Sequence, residues 1–425
     1  MSYESAVAQL EQTNAQLVQE VVRARDAIMG LNRMYATIVA GRDAVKTGEY
    51  FTVPSAGIVY ATLYRKTGAG TQEKIAEFPS REAFDAVASE SQSASQKAQQ
   101  AKNDVDTIKQ KSPTILIKDQ LRSAVEAQSG GRNTVVYTAK GEPCYMYVLP
   151  RYNLEDLPGW NSADGTGAHP AFIRNGVVKG EILIGLYQAA QVGTEAVSQP
   201  YMTPKTSINY DNARALCKAA GSNFDMMGNW DWSAVAMWCV ANGFQPRGNS
   251  DYGRSHANRW ETGRLVDGAL ELGAPDAFGK TTLTGSGPNH WRHDDSMFGI
   301  ADLVGNVWEW NAGFKLVGGV AHIAPDNGIY TEEQYLDTGF SPAIANPWSN
   351  TSSAGAPAIL KQALIVPSAA QSPVGYGSSV VDGERLPLRG GYRAYGGDVG
   401  LGALNLSNER TNTRSSLGFR PIFRT

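Results

Sequence analysis

The residues with the most chemical potential cluster in one stretch. His290 and His293 flank Trp291-Arg292, and Asp294-Asp295 follow at once. Imidazole and carboxylate at that spacing suit a transition metal such as zinc, although no third histidine is near in sequence. Calcium suits the neighbourhood better. Oxygen atoms of Asp294, Asp295, Asp302 and Asn306, with backbone carbonyls, would tie down the loop before Gly299. The same short polar side chains also cap turns without any ion. Glu309 stands between Trp308 and Trp310. A carboxylate among indoles is costly unless paired, and Arg389 or Arg420 would supply the pair, which is a structural role. An acid catalyst is the other reading of Glu309. Cys144, Cys217 and Cys239 have no histidine at recognisable spacing. There is no Gly-x-Ser-x-Gly elbow, Walker motif or Rossmann glycine pattern. The expected chemistry is therefore non-covalent, with no catalytic residue and no cofactor beyond the calcium candidate.

Composition sets the frame for these residues. The chain has 425 residues, 42% of them hydrophobic, with a net charge of -3. That is enough for about two to four domains, and near-neutrality gives no case for a nucleic-acid binder. Three cysteines are too few for a disulfide framework. The start, Met-Ser-Tyr-Glu, lacks the basic and apolar regions of a secretory signal, and no apolar run reaches membrane-helix length. The expectation is a product of a cytoplasm that stays there or leaves inside a released particle.

The positioning elements fall into five stretches. Residues 1–40 carry a heptad with Val7, Asn14, Val21, Ile28 and Tyr35 at a and Tyr3, Leu10, Leu17, Ala24, Leu31 and Ile38 at d. This predicts a coiled coil about 50 Å long at 1.5 Å per residue. Residues 41–80 read as a small β insert, with Tyr50–Val53 and Gly57–Tyr64 rich in β-branched and aromatic residues. Residues 81–112 read as a second coiled-coil helix, with Ser80 as cap, a seam of Phe84, Val87, Ser91, Ala94, Ala98, Ala101, Val105 and Ile108, and a stop at Lys111-Ser112-Pro113. Residues 113–168 form a β junction, and 169–425 the head. Within the head, Asn175-Gly176 marks a hairpin, Tyr210–Ala220 a helix after Ser207 or Asn209, and Asp225–Asn242 a second helix stopped by Gly243. Long loops are expected from Gly243 to Ser296 and from Asn311 to Leu386.

Three motifs carry a resemblance. Gly299-Ile-Ala-Asp-Leu-Val-Gly-Asn-Val-Trp-Glu-Trp310, Leu388-Arg-Gly-Gly391 and Gly418-Phe-Arg420 resemble the signature of the formylglycine-generating, or sulfatase-modifying-factor, family. The resemblance spans roughly Pro170 to Phe423 and implies an α+β, C-type-lectin-like head with long loops after the coiled-coil stalk. It also implies a scaffold of Trp308, Glu309, Trp310, Arg389, Phe419 and Arg420. The oxidases of that family carry a cysteine pair between the Arg-Gly-Gly and Gly-Phe-Arg pieces. Here Tyr392 to Leu417 contains no cysteine, so the enzyme is the alternative and not the expectation.

The same segment, 388–420, is similar to the variable repeat of phage retroelement-diversified proteins of the major tropism determinant type. That resemblance implies receptor binding by an exposed face, at Tyr392, Arg393, Tyr395, Asp398, Gly400, Ser407, Asn408 and Asn412. It further implies a virion location at the tail-fibre tip, a homotrimer, other tail proteins at the N-terminus, and a bacterial surface protein or glycan as partner. Neither nucleic acid nor membrane is expected. A structural virion protein without receptor binding is the remaining alternative.

Overall fold

The structure is a computed structural model and describes residues 12–16, 18, 19, 34–80, 85, 86, 88, 89, 92, 93, 95–99, 114–268, 272, 273, 280–328 and 330–425. The chain divides into two compact units, Met1–Ile117 and Lys118–Thr425.

In the first unit, helix α1 (Ile38–Ala44) precedes an antiparallel sheet of β1 (Tyr50–Pro54), β2 (Val59–Gly68) and β3 (Thr71–Pro79). Register sets Thr52 against Leu63 and Ala61 against Phe78. Helix α1 sits close on the sheet. A Cβ at Gly41 would fall 2.2 Å from the Phe51 ring, which itself stacks on Tyr64 at 5.5 Å. Residues 12–16, 18, 19 and the described part of 85–99 are helical. The heptad positions Tyr3, Val7, Leu10, Leu17, Val21, Ala24, Ile28 and Leu31 lie outside the described residues. So do Phe84, Val87, Ser91, Ala94, Ala101, Val105, Ile108 and the stop at Lys111–Pro113. One expectation is corrected: the helix does not run through Tyr35 to Ile38. Tyr35 donates its amide to Thr52 O at 2.9 Å, so it is held at the sheet, and Thr37 Oγ1 caps a new helix by accepting from Ala40 N.

The second unit is mixed α+β, mostly sheet. Helix α2 (Thr114–Ser129) spans the boundary between the units and is followed by β4 (Asn133–Tyr137) and β5 (Pro143–Pro150). The hairpin β6 (Ile173–Arg174) and β7 (Val177–Val178) turns at Asn175 and Gly176, both at positive φ, as the Asn-Gly pair predicts. Strands β8 (Glu181–Gly185), β9 (Ala190–Val192) and β10 (Glu195–Val197) follow. Helix α3 (Tyr210–Ala219) starts where Asn209 caps it. Strand β11 (Phe224–Met226) leads into helix α4 (Asn229–Ala241), so the helix expected from Asp225 begins four residues late. The reason is tertiary: β11 pairs with β20 (Pro421–Phe423), and Asp225 is buried against Arg214 and Lys218.

The remaining elements are β12 (Trp308–Trp310), β13 (Phe314–Val317), β14 (Val320–Ile323), β15 (Leu336–Asp337), helix α5 (Ala358–Gln362), β16 (Gly377–Ser379), β17 (Glu384–Gly390), β18 (Gly400–Asn408) and β19 (Leu417–Phe419). One sheet has the order β11-β20-β8-β5-β4. The other runs β15-β14-β13-β17-β12-β19, with β18 on β17 and β16 on β18. Strands β4 and β5, expected in a separate junction, are thus part of a sheet that contains the final strand. The stretch 311–386, expected as loop, holds β13 to β16 and most of one sheet edge. Those strands have two to four residues, or seven in β17, too short to show periodicity. Trp230, Trp232, Trp308, Trp310 and Trp348 are buried in the core that α4 and the larger sheet share. Among the described residues, no helix is long and apolar enough to cross a membrane.

Candidate functional site

The site begins with its floor. Arg420 donates to both Glu309 oxygens, Nε to Oε2 at 3.0 Å and Nη2 to Oε1 at 2.6 Å. Both side chains are essentially inaccessible. Gln188 Nε2 adds a third bond to Oε1 at 3.1 Å, and Arg420 also reaches Gly185 O and Ala301 O. Of the two arginines considered for Glu309, Arg420 is the partner. Such a pair survives burial because its remaining donors are also used. Arg389 stands opposite Glu309 in the β12–β17 register, but its guanidinium donates to Asn229 Oδ1 at 2.7 Å and Leu364 O at 2.8 Å. With only neutral acceptors, burial pulls its guanidinium down to about 9. Trp310 Nε1 donates to Ile208 O. Trp308 and Phe419 are buried in neighbouring strands β12 and β19, whose pairing is parallel and sets Trp310 beside Phe419.

The 299–310 motif clamps loops. Asn306 Oδ1 accepts from Thr282 N, Thr282 Oγ1 and Asn249 Nδ2, while its Nδ2 donates to Gln188 Oε1 at 2.9 Å. Asp302 Oδ2 accepts from Gly285 N at 2.7 Å, and burial raises this carboxyl. Asp294 is occupied by Ser296 and faces Arg132, and Asp295 pairs with the exposed His290 at 3.1 Å. The calcium set of Asp294, Asp295, Asp302 and Asn306 is therefore not assembled. Each of the four side chains holds backbone or a neighbouring side chain through at least one oxygen, as turn capping does, and Asp302 Oδ1 is buried without a hydrogen-bond partner. The zinc candidate fails with it: His293 is buried, and its Nδ1 accepts from Ile300 N at 2.8 Å. Among the described residues, no group of three or more His, Cys, Asp or Glu is placed to hold a metal ion. The three cysteines are buried; Cys239 Sγ donates to His293 O at 3.3 Å, and burial pushes the Cys144 thiol up to about 12.

Above the floor, Gly390 and Gly391 turn the chain out of β17, both at φ +87°. A Cβ at Gly390 would lie 2.4 Å from Leu303 O, so only glycine lets the two backbones meet. The chain then enters the Tyr392–Asp398 loop. Tyr392 and Tyr395 have ring centroids 4.7 Å apart, and Tyr395 lies 5.0 Å from Tyr376 and 5.5 Å from Trp308. The three tyrosines are half-buried, each with one part in the core and one at the surface. Burial, with Tyr376 next to it, raises the Tyr395 hydroxyl to about 12, so it stays a neutral donor. Asp398 is exposed, and its carbonyl accepts from Tyr376 N at 2.7 Å.

The structure brings Tyr392, Tyr395 and Asp398 together and separates the other expected binding positions from them. Arg393 is 6% exposed; its guanidinium lies 5.8 Å from the Tyr392 ring and reaches Ser415 O. Asn408 is buried and donates to Asn405 Oδ1. Neither is displayed by this chain. Gly400 is a packing glycine, since a Cβ there would meet Val374 O at 2.1 Å. Ser407 is half-buried on β18, its Oγ 2.7 Å from Ser378 Oγ. Asn412 accepts from Glu409 N and shapes the 409–416 loop, whose Thr411 and Thr413 to Ser415 are exposed. Sequence reasoning missed Tyr376. Its signal was present: Gly375-Tyr376-Gly377 repeats the tyrosine–glycine mixture of the 392–397 loop.

No family model and no curated protein matches this chain. Among solved structures, it is similar to Treponema denticola variable protein 1, at 14% identity over 69% of this chain and 99% of that one, with a TM-score of 0.30. Two Major Tropism Determinant variants also match. The P3c variant is 12% identical over 66% of this chain and 62% of its own length, with a TM-score of 0.25. The U1 variant is 11% identical over 66% and 63%, with a TM-score of 0.26. Likeness at this level decides neither fold nor function.

What the arrangement can do follows from its parts. Half-buried tyrosines offer apolar area and a hydroxyl at low entropic cost, and the neighbouring Gly, Asp and Ser residues supply adaptable hydrogen bonds. The floor beneath is fixed by buried charge pairing and by indole hydrogen bonds to backbone. Such a surface is suited to non-covalent contact.

Proposed function

We propose that this protein is a receptor-binding protein of a phage tail-fibre tip, carrying a C-type-lectin-like head on an oligomerising N-terminal stalk. The head engages a bacterial surface receptor through the 392–416 face, without catalysis. The observation that carries this reading is the tyrosine group Tyr376, Tyr392 and Tyr395, partly exposed and packed against Trp308 of β12. The lack of cysteine between Tyr392 and Leu417 speaks against the oxidase alternative. Several such faces on one oligomeric stalk would bind through avidity, so each site needs only modest affinity.

The test is binding of the purified full chain to a panel of intact bacterial cells, beside a Tyr392→Ser/Tyr395→Ser double variant. We expect saturable binding to a subset of strains and a loss of about tenfold or more in the variant with its melting temperature largely kept. Binding to no strain, or equal binding by both proteins, would sink the reading.

A further inference from the structure

A second loop is knitted to the tyrosine loop and displays an unexplained side chain. Trp260 is 85% exposed, whereas Trp230, Trp232, Trp291, Trp310 and Trp348 are at most 1% exposed. A tryptophan is the largest apolar side chain, and leaving one in water forgoes its burial energy. The residues around it are not loose. Glu261, next in sequence, accepts from Arg247 Nε at 2.8 Å, from Asn258 Nδ2 at 2.9 Å and from Trp291 Nε1 at 3.2 Å. Ser255 N donates to Glu261 O at 3.0 Å and closes the loop. The indole thus projects from a braced turn.

That turn abuts the proposed binding face. Tyr252 N donates to Arg393 O at 2.8 Å, and Gly396 N donates to Ser250 O at 2.9 Å. Ser250 Oγ lies 2.8 Å from His256 Nδ1, and a Cβ at Gly397 would sit 3.6 Å from His256 Nε2. His256, Arg259 and Trp260 are all exposed.

Resting on the adhesin reading, we infer that Trp260, with Arg259 and His256 beside it, is a fixed anchor of the same recognition surface, and that its partner is a folded protein with an apolar depression rimmed by acidic groups. Three observations favour a protein. The acceptor next to the indole, the Glu261 carboxylate, is consumed inside the loop by Arg247, Asn258 and Trp291. At Trp260 and Arg259 themselves, an indole N–H and a guanidinium can only donate. That pairs with carboxylates and carbonyls and poorly with sugar hydroxyls, which ask for acceptors as well. Trp and Arg on a rigid support, beside tyrosines, are also the residue types that dominate protein interfaces. The loop lies outside 388–420, so the anchor stays constant if the tyrosine face varies.

The experiment uses the full chain unaltered and as Trp260→Ala, Trp260→Phe and the tyrosine double variant. Each is titrated on intact cells, on cells shaved with a protease and on cells oxidised with periodate. Melting temperatures are measured in parallel; an exposed indole should leave them unchanged. The expected result is about tenfold or more weaker binding for Trp260→Ala, an intermediate value for Trp260→Phe, loss of binding on shaved cells and none on oxidised cells. Full binding by Trp260→Ala with loss in the tyrosine variant would leave the adhesin reading standing and overturn this one. Binding that survives shaving but not periodate would identify a saccharide and overturn it too. Binding of the unaltered chain to no cells would bring down both.

Discussion

At the residue scale, the most consequential side chains are buried ones. Glu309 and Arg420 form a pair shielded from water with all the obvious donors in use. Glu309→Gln leaves the guanidinium without its counter-charge, and removing one partner of such a pair costs about 3–5 kcal/mol. Denaturant unfolding would measure it, and a change under about 1 kcal/mol would show the pair to be incidental. The buried imidazoles make a second prediction. Burial lowers His293 to about 4 and His169 to about 3, against an ordinary value near 6.5. Both folded values lie below the unfolded one, so above pH 6.5 neither state binds the proton and stability is complete. As pH falls from 6.5 towards 4, only the unfolded chain takes up protons, and each histidine costs about 1.4 kcal/mol per pH unit. Unfolding free energy should drop across that window, and His293→Gln should flatten the slope. A stability level from pH 7 to 5 would contradict this. The residues also show where sequence stopped being informative. That Glu309 needs an arginine was legible from its tryptophan neighbours; which arginine was not, since strand register sets Arg389 opposite Glu309 while Arg420, just past β19, is the side chain that reaches it. Arg393 and Asn408 have side chains typical of binding surfaces, and their burial depends on strands far away in sequence.

At the element scale, local signals carried well. The Asn175-Gly176 hairpin and the helix capped by Asn209 need only neighbouring residues, and both lie where sequence put them. The start of α4 did not, because Asp225 is claimed by cations and by β20. Strands of two to four residues between Asn311 and Leu386 were invisible for the same kind of reason: their pairing partners are elsewhere. The Gly-rich turn after β17 yields a sharp test. Gly390→Ala places a carbon 2.4 Å from Leu303 O in a positive-φ backbone. It should destabilise the protein by about 2 kcal/mol or more and weaken cell binding by moving the Tyr392–Asp398 loop. An alanine variant of native stability and binding would show that the turn tolerates a side chain.

At the scale of the whole molecule, two units stand apart in their internal packing. For the first, the heptads in the sequence predict self-association. Light scattering of the full chain should therefore report a multiple of the chain mass, and deletion of residues 1–38 should lower it. The mass of a single chain in the undeleted protein would refute the stalk. One feature of the larger unit reaches beyond its finished state. Leu417–Phe419 completes one sheet, Pro421–Phe423 joins β11 to β8 in the other, and Arg420 between them carries the buried pair. A ribosome makes these seven residues after every other strand of the two sheets. Neither sheet can close before they emerge, so a product interrupted ahead of them has no half-working head. It remains open and visible to proteases until the last strands arrive.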